Sequence, residues 1–101
     1  MPYDSKLKSA EMDALFEAIL SLKDADECYR FFEDICTINE LQSISQRLQV
    51  ARMLDEHVTY STISHDTGAS TATISRVNRC LLYGTGGYRL ALDRAEKEKQ
   101  D

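Results

Sequence analysis

Residues Tyr60–Leu82 read YSTISHDTGASTATISRVNRCLL, and they hold the most specific structural signal in the sequence. Ile63 and Ile74 anchor two short helical patterns, and Gly68 stands between them. Glycine reaches a positive φ at little steric cost, which suits the tight turn between two such helices. Ser70 is a natural N-cap for the second helix because its hydroxyl can accept a backbone N–H. The stretch therefore fits the helix-turn-helix template.

The second helix of this motif is predicted to present small polar side chains and two arginines. Ile74 and Val77, at helical spacing, hold it against the first helix. The side chains left facing outward are Ser70, Thr71, Ala72, Thr73, Ser75, Arg76 and Arg79. Small residues let a helix N-terminus approach base edges closely, and hydroxyls can bond bases or phosphates. This surface suits the major groove of DNA, and a helical hairpin with a solvated Ser/Thr face is the alternative.

The segments before the motif are also helical in pattern. Asp24 or Asp26 can cap a helix whose apolar face is expected to be core. That face consists of Cys28, Phe31, Phe32, Ile35 and Cys36. Thr37 and Glu40 have the spacing of a capping box and start a further helix that runs to about Glu56. Its apolar positions are Leu41, Ile44, Leu48, Ala51 and Leu54.

The two ends of the chain complete the helical pattern. Residues 6–23 carry two apolar stripes, one of Leu7, Ala14, Leu15, Ala18, Ile19 and Leu22, the other of Met12, Phe16 and Leu20. One stripe usually suffices in a monomer, so two favour contact with a partner subunit, although a central helix of one core is the alternative. Glycines 84, 86 and 87 end the motif, and the last helix is expected to fray along its charged tail, residues 94–101. No strand pattern occurs, and the fold class is all-α.

Length and composition place the chain among ordinary soluble domains. Of its 101 residues, 43% are apolar and 29% are charged. One domain spanning residues 1–101, with a core of about residues 5–95, is expected. No apolar stretch approaches the length of a membrane span or the core of a signal peptide. We therefore expect no membrane partner and a cytoplasmic location.

The charge distribution is compatible with a polyanionic partner in spite of a formal net charge of −5. Residues 1–46 carry ten acidic and four basic side chains, whereas residues 57–92 carry three arginines and one aspartate. Screening acts over about 10 Å at about 0.1 M salt. Acids on one side of a domain therefore need not cancel a basic surface on the other.

The sequence contains no arrangement that predicts catalysis or metal binding. Cys28, Cys36 and Cys80 are an odd set without CxxC spacing, and we interpret them as reduced core thiols. His57 and His65 have no cysteine at the short spacing that zinc sites use. No phosphate loop or nucleophile motif occurs. We expect no catalytic residue, no metal and no cofactor, and a binding protein rather than an enzyme.

Residues Thr37–Leu82 resemble the tryptophan repressor family, and resemblance to its YerC/YecD-type branch covers nearly the whole chain. The matching residues include Thr37, Glu40, Arg47 and the uninterrupted run Gly68–Arg76. The resemblance implies about six helices, an intertwined homodimer formed through the N-terminal helices, and binding to a palindromic operator in double-stranded DNA. The two-striped first helix, found independently, agrees with that dimer.

The resemblance also assigns roles in DNA binding, because in this family the second motif helix enters the major groove. Carried over, the base-facing positions are Thr71, Ala72, Thr73 and Ser75. Arg76 then lies near a phosphate, and Ser61 and Ser64 on the preceding helix also face DNA. Those two serines stand where the repressor has basic or long side chains, so the operator sequence is expected to differ.

An effector pocket is a further implication of the resemblance, and its residues here are Thr37, Arg47 and Arg76. The fork of a guanidinium can bind both oxygens of a carboxylate. Val77 stands where the repressor has a glycine that makes room for the indole, Cys80 replaces a serine that helps hold the amino group, and Asp34 replaces an apolar wall residue. Overpacking commonly costs about 1–3 kcal/mol. We expect a small anionic effector other than tryptophan. The alternative is that Arg47 and Arg76 bind no effector and instead form salt bridges and contact phosphate.

Together these features predict a homodimeric DNA-binding transcriptional regulator that acts as a repressor. The alternative is a protein-interaction module that keeps the helix-turn-helix fold without DNA binding, and the low basic content favours it. The third hypothesis is an enzyme, which would require a deep pocket that contains Cys36 or His57.

Overall fold

The computed structural model describes residues 3–100, with side chains described for residues 3–98. Every regular element in this range is a helix: α1 Ala10–Leu20, α2 Ala25–Ile35, α3 Ile38–Asp55, α4 Tyr60–Thr67, α5 Thr71–Tyr83 and α6 Gly87–Gln100. The prediction of an all-α fold with six helices is confirmed. No helix in the described range is both long and apolar enough to cross a membrane.

Contacts along the chain separate two compact units. The first unit extends to Ile38 and contains α1 and α2. The second unit begins at Asn39 and contains almost all of α3 together with α4, α5 and α6. The helix-turn-helix therefore lies entirely in the second unit.

Helix α1 begins at Ala10 and not at Lys6 as the sequence pattern predicts. Ser9 has an extended backbone, with φ −159° and ψ 166°, and its hydroxyl accepts the Met12 N–H at 3.1 Å. An extended N-cap cannot continue a helix in the N-terminal direction. The cap at Ser9 thus overrides the apolar periodicity that starts at Leu7.

Helix α2 begins after Asp24, whose carboxylate accepts the Glu27 N–H at 2.9 Å. The expectation that its apolar face is core is wrong within the chain, because no described residue of the first unit is buried. Tyr29 and Ile35 expose 66% and 54% of their surface. Two helices of eleven residues each offer too little apolar surface to enclose a side chain.

The three cysteines are free thiols, but they are not core residues. Cys28 and Cys80 are exposed and Cys36 is half-buried. Cys28 lies in the first turn of α2, a helix without a buried residue. Cys80 faces an open cavity in the second unit. The compositional preference of cysteine for cores does not hold where the surrounding helix faces stay open.

The core of the chain belongs to the second unit. Its buried residues are Val50, Ala51, Ile63, Ala69, Ile74, Val77 and Leu92. Residues of α3, α4, α5 and α6 all contribute, and half-buried side chains such as Leu54, Leu81 and Tyr88 surround them. Of the predicted stripe on α3, Ala51 is buried and Leu41 and Leu54 are half-buried, whereas Ile44 and Leu48 are exposed. The core therefore fixes α4 and α5 against the end of α3.

The turn that follows α3 contains a residue in the left-handed region, His57 at φ 62°. The His57 and Val58 N–H groups donate to the carbonyls of Leu54 and Met53, both at 3.0 Å, and so close the helix. A left-handed conformation costs a residue with a Cβ about 1–2 kcal/mol, and glycine avoids most of that cost.

We expect His57→Gly to raise the free energy of unfolding by about 0.5–1 kcal/mol, since the relief of strain exceeds the extra backbone entropy of glycine. Urea unfolding at fixed protein concentration measures the change. His65→Gly, within α4, is the matched control and should lower stability by about 0.5–1 kcal/mol. A loss of stability in both variants would contradict the argument.

An ion-pair network joins α6 to the end of α3. The Arg89 guanidinium donates to both carboxylate oxygens of Asp55 at 2.9 and 2.8 Å, and its Nε lies 3.1 Å from Asp93. This hydrogen bonding lowers the pKa of the Asp55 carboxyl below its ordinary value. Helix α6 extends to Gln100, and the expected fraying along residues 94–101 stays a prediction.

The lowered pKa of Asp55 predicts a pH dependence of stability. A carboxyl with a lower pKa in the folded state stabilises the fold above its unfolded value of about 4, and this contribution disappears as the pH falls through the folded value. Urea unfolding between pH 7 and about pH 2 should therefore show a steeper acid-side loss in the wild type than in Asp55→Asn. Asp34→Asn, an exposed control, should retain the wild-type slope. Parallel profiles for wild type and Asp55→Asn would refute the linkage.

Candidate nucleic-acid interface

The helix-turn-helix has the local geometry that the sequence predicts. Thr59 caps α4 and accepts the Thr62 N–H at 3.3 Å. Gly68 ends α4 in the left-handed region at φ 76°, and its N–H donates to the Ser64 carbonyl at 2.9 Å. Ser70 caps α5 and accepts the Thr73 N–H at 3.1 Å. The predicted roles of Gly68 and Ser70 are confirmed.

Side-chain hydrogen bonds hold the turn between α4 and α5. The Ser64 hydroxyl donates to the Ala69 carbonyl at 2.8 Å, and the Thr67 hydroxyl donates to the Ile63 carbonyl at 2.7 Å. The Gln46 amide of α3 donates to the Thr67 carbonyl at 3.1 Å. Gln46 is a residue that sequence reasoning missed, because nothing local distinguishes it from the other polar residues of α3. The turn is thus fixed to the supporting helix as well as within itself.

Buried residues orient α5 on this support. Ile74 and Val77 lie on its inner side with 0% and 2% exposure, and Ile63 of α4 and Ala69 of the turn are buried beside them. On the opposite side of α5, Thr71, Ala72, Ser75, Arg76 and Arg79 are exposed among the described side chains. Because the inner side of α5 is closely packed, the backbone from which the exposed side chains project is held in place.

Most of the predicted DNA-contacting residues are exposed, and of these only Ser61 belongs to α4. The exposed ones are Ser61, Ser70, Thr71, Ala72, Ser75, Arg76 and Arg79. Thr71, Ser75 and Arg79 are four residues apart and therefore share one face of α5. Thr73 and Ser64 are half-buried. The structure brings seven of the nine predicted positions to the surface.

Hydrogen bonding separates the hydroxyls of this surface into two groups. Ser70 donates to the Thr73 hydroxyl at 3.1 Å, and Ser64 is bonded to the turn, so these three serve the fold. Within residues 3–98, the Thr71 and Ser75 side chains form no hydrogen bond. These two hydroxyls keep their full capacity for an external partner.

The cationic side chains of this surface are also available to an external partner. Arg76 and Arg79 form no ion pair within the part of the chain whose side chains are described. The one acidic residue of the motif, Asp66, is 3.0 Å from the His65 ring on α4. The exposed edge of α5 therefore combines two hydroxyls, a methyl group and two guanidinium groups.

A second feature of this unit is a cavity of about 600 Å³ beside α5. It lies among α3, the end of α5, the glycine-containing turn and α6. Its lining residues are Ile44, Arg47, Leu48, Cys80, Gly84, Thr85, Gly87, Tyr88 and Ala91. Of the three predicted effector residues, Arg47 lines the cavity and Arg76 does not. Thr37 belongs to the first unit.

The electrostatics of the cavity centre on Arg47 and Tyr88. Burial raises the pKa of the Tyr88 phenol, and the positive charge of Arg47 partly opposes that shift. Tyr88 was not among the predicted site residues, because its helical spacing is equally typical of a core position. Its phenol remains a neutral hydrogen-bond donor beside a cation.

Comparison with known proteins identifies a family of similar chains. The family model for the Trp repressor protein matches residues 10–96. The chain is 62% identical over 96 residues to YerC of Bacillus subtilis strain 168, an uncharacterized protein, and the match covers 95% of this chain and 92% of YerC.

Two solved structures are also similar to the chain. A candidate Trp repressor from Staphylococcus aureus is 56% identical with a TM-score of 0.87, over 90% of this chain and 91% of that one. A TrpR-like protein from Eubacterium eligens is 62% identical, also with a TM-score of 0.87, over 90% of this chain and 94% of that one.

Proposed function

Because the chain belongs to the Trp repressor family, we propose that it is a sequence-specific DNA-binding transcriptional regulator that acts as a homodimer. Family membership supports a regulator of DNA and gives no support for catalysis. The candidate Trp repressor from Staphylococcus aureus and the TrpR-like protein from Eubacterium eligens have the same helical fold. The DNA sequence that this chain recognises then depends on the exposed side chains of α5.

One observation carries the proposal: the N-terminal edge of α5 is exposed while its inner side is buried. Thr71, Ala72 and Ser75 are small enough to let the helix approach base edges in the major groove. The hydroxyls can bond to bases, and the methyl groups of Ala72 and Thr71 can contact the methyl group of a thymine. Arg76 and Arg79 then contact phosphates, which position the protein without reading sequence.

Exposed apolar surface in the first unit supports the homodimer. Phe16 and Leu20 of α1 expose 52% and 82% of their surface, and Leu7 and Ile35 are exposed as well. Soluble monomers rarely expose many large apolar side chains in one region, whereas subunit interfaces bury them. A two-fold dimer places its two α5 helices in successive major grooves about 34 Å apart, so the operator is a palindrome. Sedimentation equilibrium should give twice the mass of one chain.

We further propose repression as the regulatory mode, a cytoplasmic location, and an effector that is not tryptophan. Val77, where the family has a glycine beside the indole, is buried at 2% exposure. Its side chain fills core space and leaves no slot for a flat ring at that position. Arg47, in contrast, remains open to a small anion.

The salt dependence of DNA binding tests the phosphate contacts. With about four to six phosphates neutralised per dimer, the slope of log K against log salt should be about −4 to −5. Arg76→Ala should weaken binding to all sequences and reduce the slope by about 2 per dimer, since each protomer loses one phosphate contact. Arg30→Ala in the first unit, whose guanidinium pairs with Asp26, is the control. A wild-type slope near −10, or an unchanged slope in Arg76→Ala, would show that these contacts are misassigned.

The alternative, a protein-interaction module with the same fold, is favoured by the excess of acidic over basic residues. Retention on heparin at low salt, followed by selection from a random duplex library, separates the two functions. A DNA-binding regulator should be retained and should enrich one motif. Absence of any enriched motif would favour the interaction module.

A further inference from the structure

From the exposed edge of α5 we propose that Ala72 selects a thymine in each half-site of the DNA through the 5-methyl group of that base. The inference rests on the proposed function, because it names the base that one position of the reading helix recognises. Ala72 is the second residue of α5, and its side chain is exposed. Binding should therefore distinguish thymine from deoxyuridine, which differs from it only by the missing methyl group.

The side chain of Ala72 differs in chemistry from those around it. Thr71 and Thr73 on either side of it carry hydroxyls, and so does Ser75 one turn further along. Ala72 offers a single methyl group without a donor or an acceptor, so it gains only from contact with apolar surface. In the major groove, the 5-methyl group of thymine is the apolar group that distinguishes one base pair from another. An alanine at a reading position therefore matches thymine.

The position of Ala72 on α5 places its methyl group nearer to the bases than the arginines are. Arg76 and Arg79 follow Ala72 by four and seven residues, so all three lie on one face of the helix. With a rise of about 1.5 Å per residue, the two arginines lie about 6 and 10 Å further along the axis. The major groove is about 8.5 Å deep. When α5 enters it by the N-terminus, the guanidinium groups are level with the phosphates and Ala72 is close to the base edges.

The rest of the first turn of α5 offers no group that would select another base more strongly. Guanine, adenine and cytosine are read by guanidinium or ammonium, amide and carboxylate groups, respectively, and Thr71–Thr73 contain none of these. Thr73 is half-buried, and its hydroxyl accepts a hydrogen bond from Ser70 at 3.1 Å. The groups left to meet the bases are the side chain of Thr71 and the methyl group of Ala72.

The size of the effect follows from the burial of one methyl group. Its removal should change the affinity by about 4-fold for one half-site, and by about 15-fold when both half-sites of the palindrome are altered. Competition binding resolves such a ratio when the two duplexes differ in the methyl group alone.

Replacement of each thymine of the selected operator by deoxyuridine, one symmetric pair at a time, tests the proposal. We expect the wild-type protein to bind about 15-fold more weakly when one particular pair is replaced. Equal affinity for thymine and deoxyuridine at every position, or a selected half-site without thymine, would overturn the proposal and leave the DNA-binding regulator intact. A selection that enriches no motif would overturn both.

A mutant cycle assigns the methyl effect to one side chain. In Ala72→Gly, the thymine and deoxyuridine operators should bind equally, because the partner methyl group is gone. Glycine also weakens the start of α5, but this cost affects both operators and cancels in their ratio. Ala25→Gly, at the exposed first residue of α2, is the matched control and should keep the wild-type ratio.

Thr71→Ser separates the two methyl groups of the first turn, because serine keeps the hydroxyl and lacks the methyl group. This variant should keep most of the thymine preference. A preference that persists in Ala72→Gly, or one that disappears in Thr71→Ser and not in Ala72→Gly, would overturn the assignment to Ala72.

Discussion

Replacing Ile63 with alanine should lower the free energy of unfolding by about 2–5 kcal/mol. Ile63 is fully buried between α4 and α5, beside Ile74, Val77 and Ala69. Removal of its side chain leaves a cavity that the surrounding helices cannot fill, because the turn is held by hydrogen bonds from Thr67 and Ser64. Chemical denaturation at one fixed protein concentration measures the loss, since stability of a homodimer depends on concentration.

The control for this prediction is Ser61→Ala, an exposed substitution two residues earlier on α4. Its effect should stay within about 0.5 kcal/mol. The Ile63→Ala protein should also bind DNA less tightly than the wild type at temperatures where it is still folded. The reason is that α5 loses its fixed orientation. An Ile63→Ala protein as stable as Ser61→Ala would mean that α4 and α5 do not share this core.

Replacing Thr71 with alanine should change which DNA sequence the protein prefers. Thr71 is the first residue of α5, it is exposed, and its hydroxyl forms no bond within the described side chains. A mismatched base pair in a specific site typically costs about 1–3 kcal/mol, which corresponds to roughly 5- to 150-fold between bases. Loss of the hydroxyl should relax the preference at one position in each half-site and leave affinity for non-specific DNA unchanged.

Competition binding with operators substituted at single positions measures the Thr71→Ala effect. Ser45→Ala, an exposed hydroxyl on α3, is the control and should retain the wild-type preference at every position. An unchanged preference in Thr71→Ala, together with a changed preference in Ser45→Ala, would move the reading surface from α5 to α3.

The local features of the motif could be predicted because short-range rules decide them. Gly68 at a positive φ, Ser70 as an N-cap and the inward positions of Ile63 and Ile74 follow from residue type and spacing. The predicted start of α1 was wrong because the N-cap at Ser9 excludes Leu7, the first apolar position of the stripe, from the helix. Predictions from periodicity identify which face is apolar but do not say whether anything in the same chain covers it. The open face of α2 illustrates this limit.

The candidate site also combines features that local rules predict with features that depend on the tertiary structure. Exposure of Thr71 and Ser75 follows from helical spacing, and the structure agrees. The engagement of Ser64 by the Ala69 carbonyl depends on how the turn folds back, which no local rule supplies. The cavity joins Arg47 to Tyr88, residues far apart in sequence, and only the packing of α3 against α6 brings them together. Contacts of this kind require the tertiary structure.

Selection of preferred sites from a random duplex library with the wild-type protein shows whether the exposed edge of α5 reads DNA sequence. Reading of the major groove by two α5 edges predicts an enriched palindrome with half-site centres about 10 base pairs apart. The same selection with Thr71→Ala should return a palindrome of equal spacing and altered bases. A wild-type library without any enriched motif, or an identical motif from both proteins, would contradict the claim that this edge of α5 reads DNA.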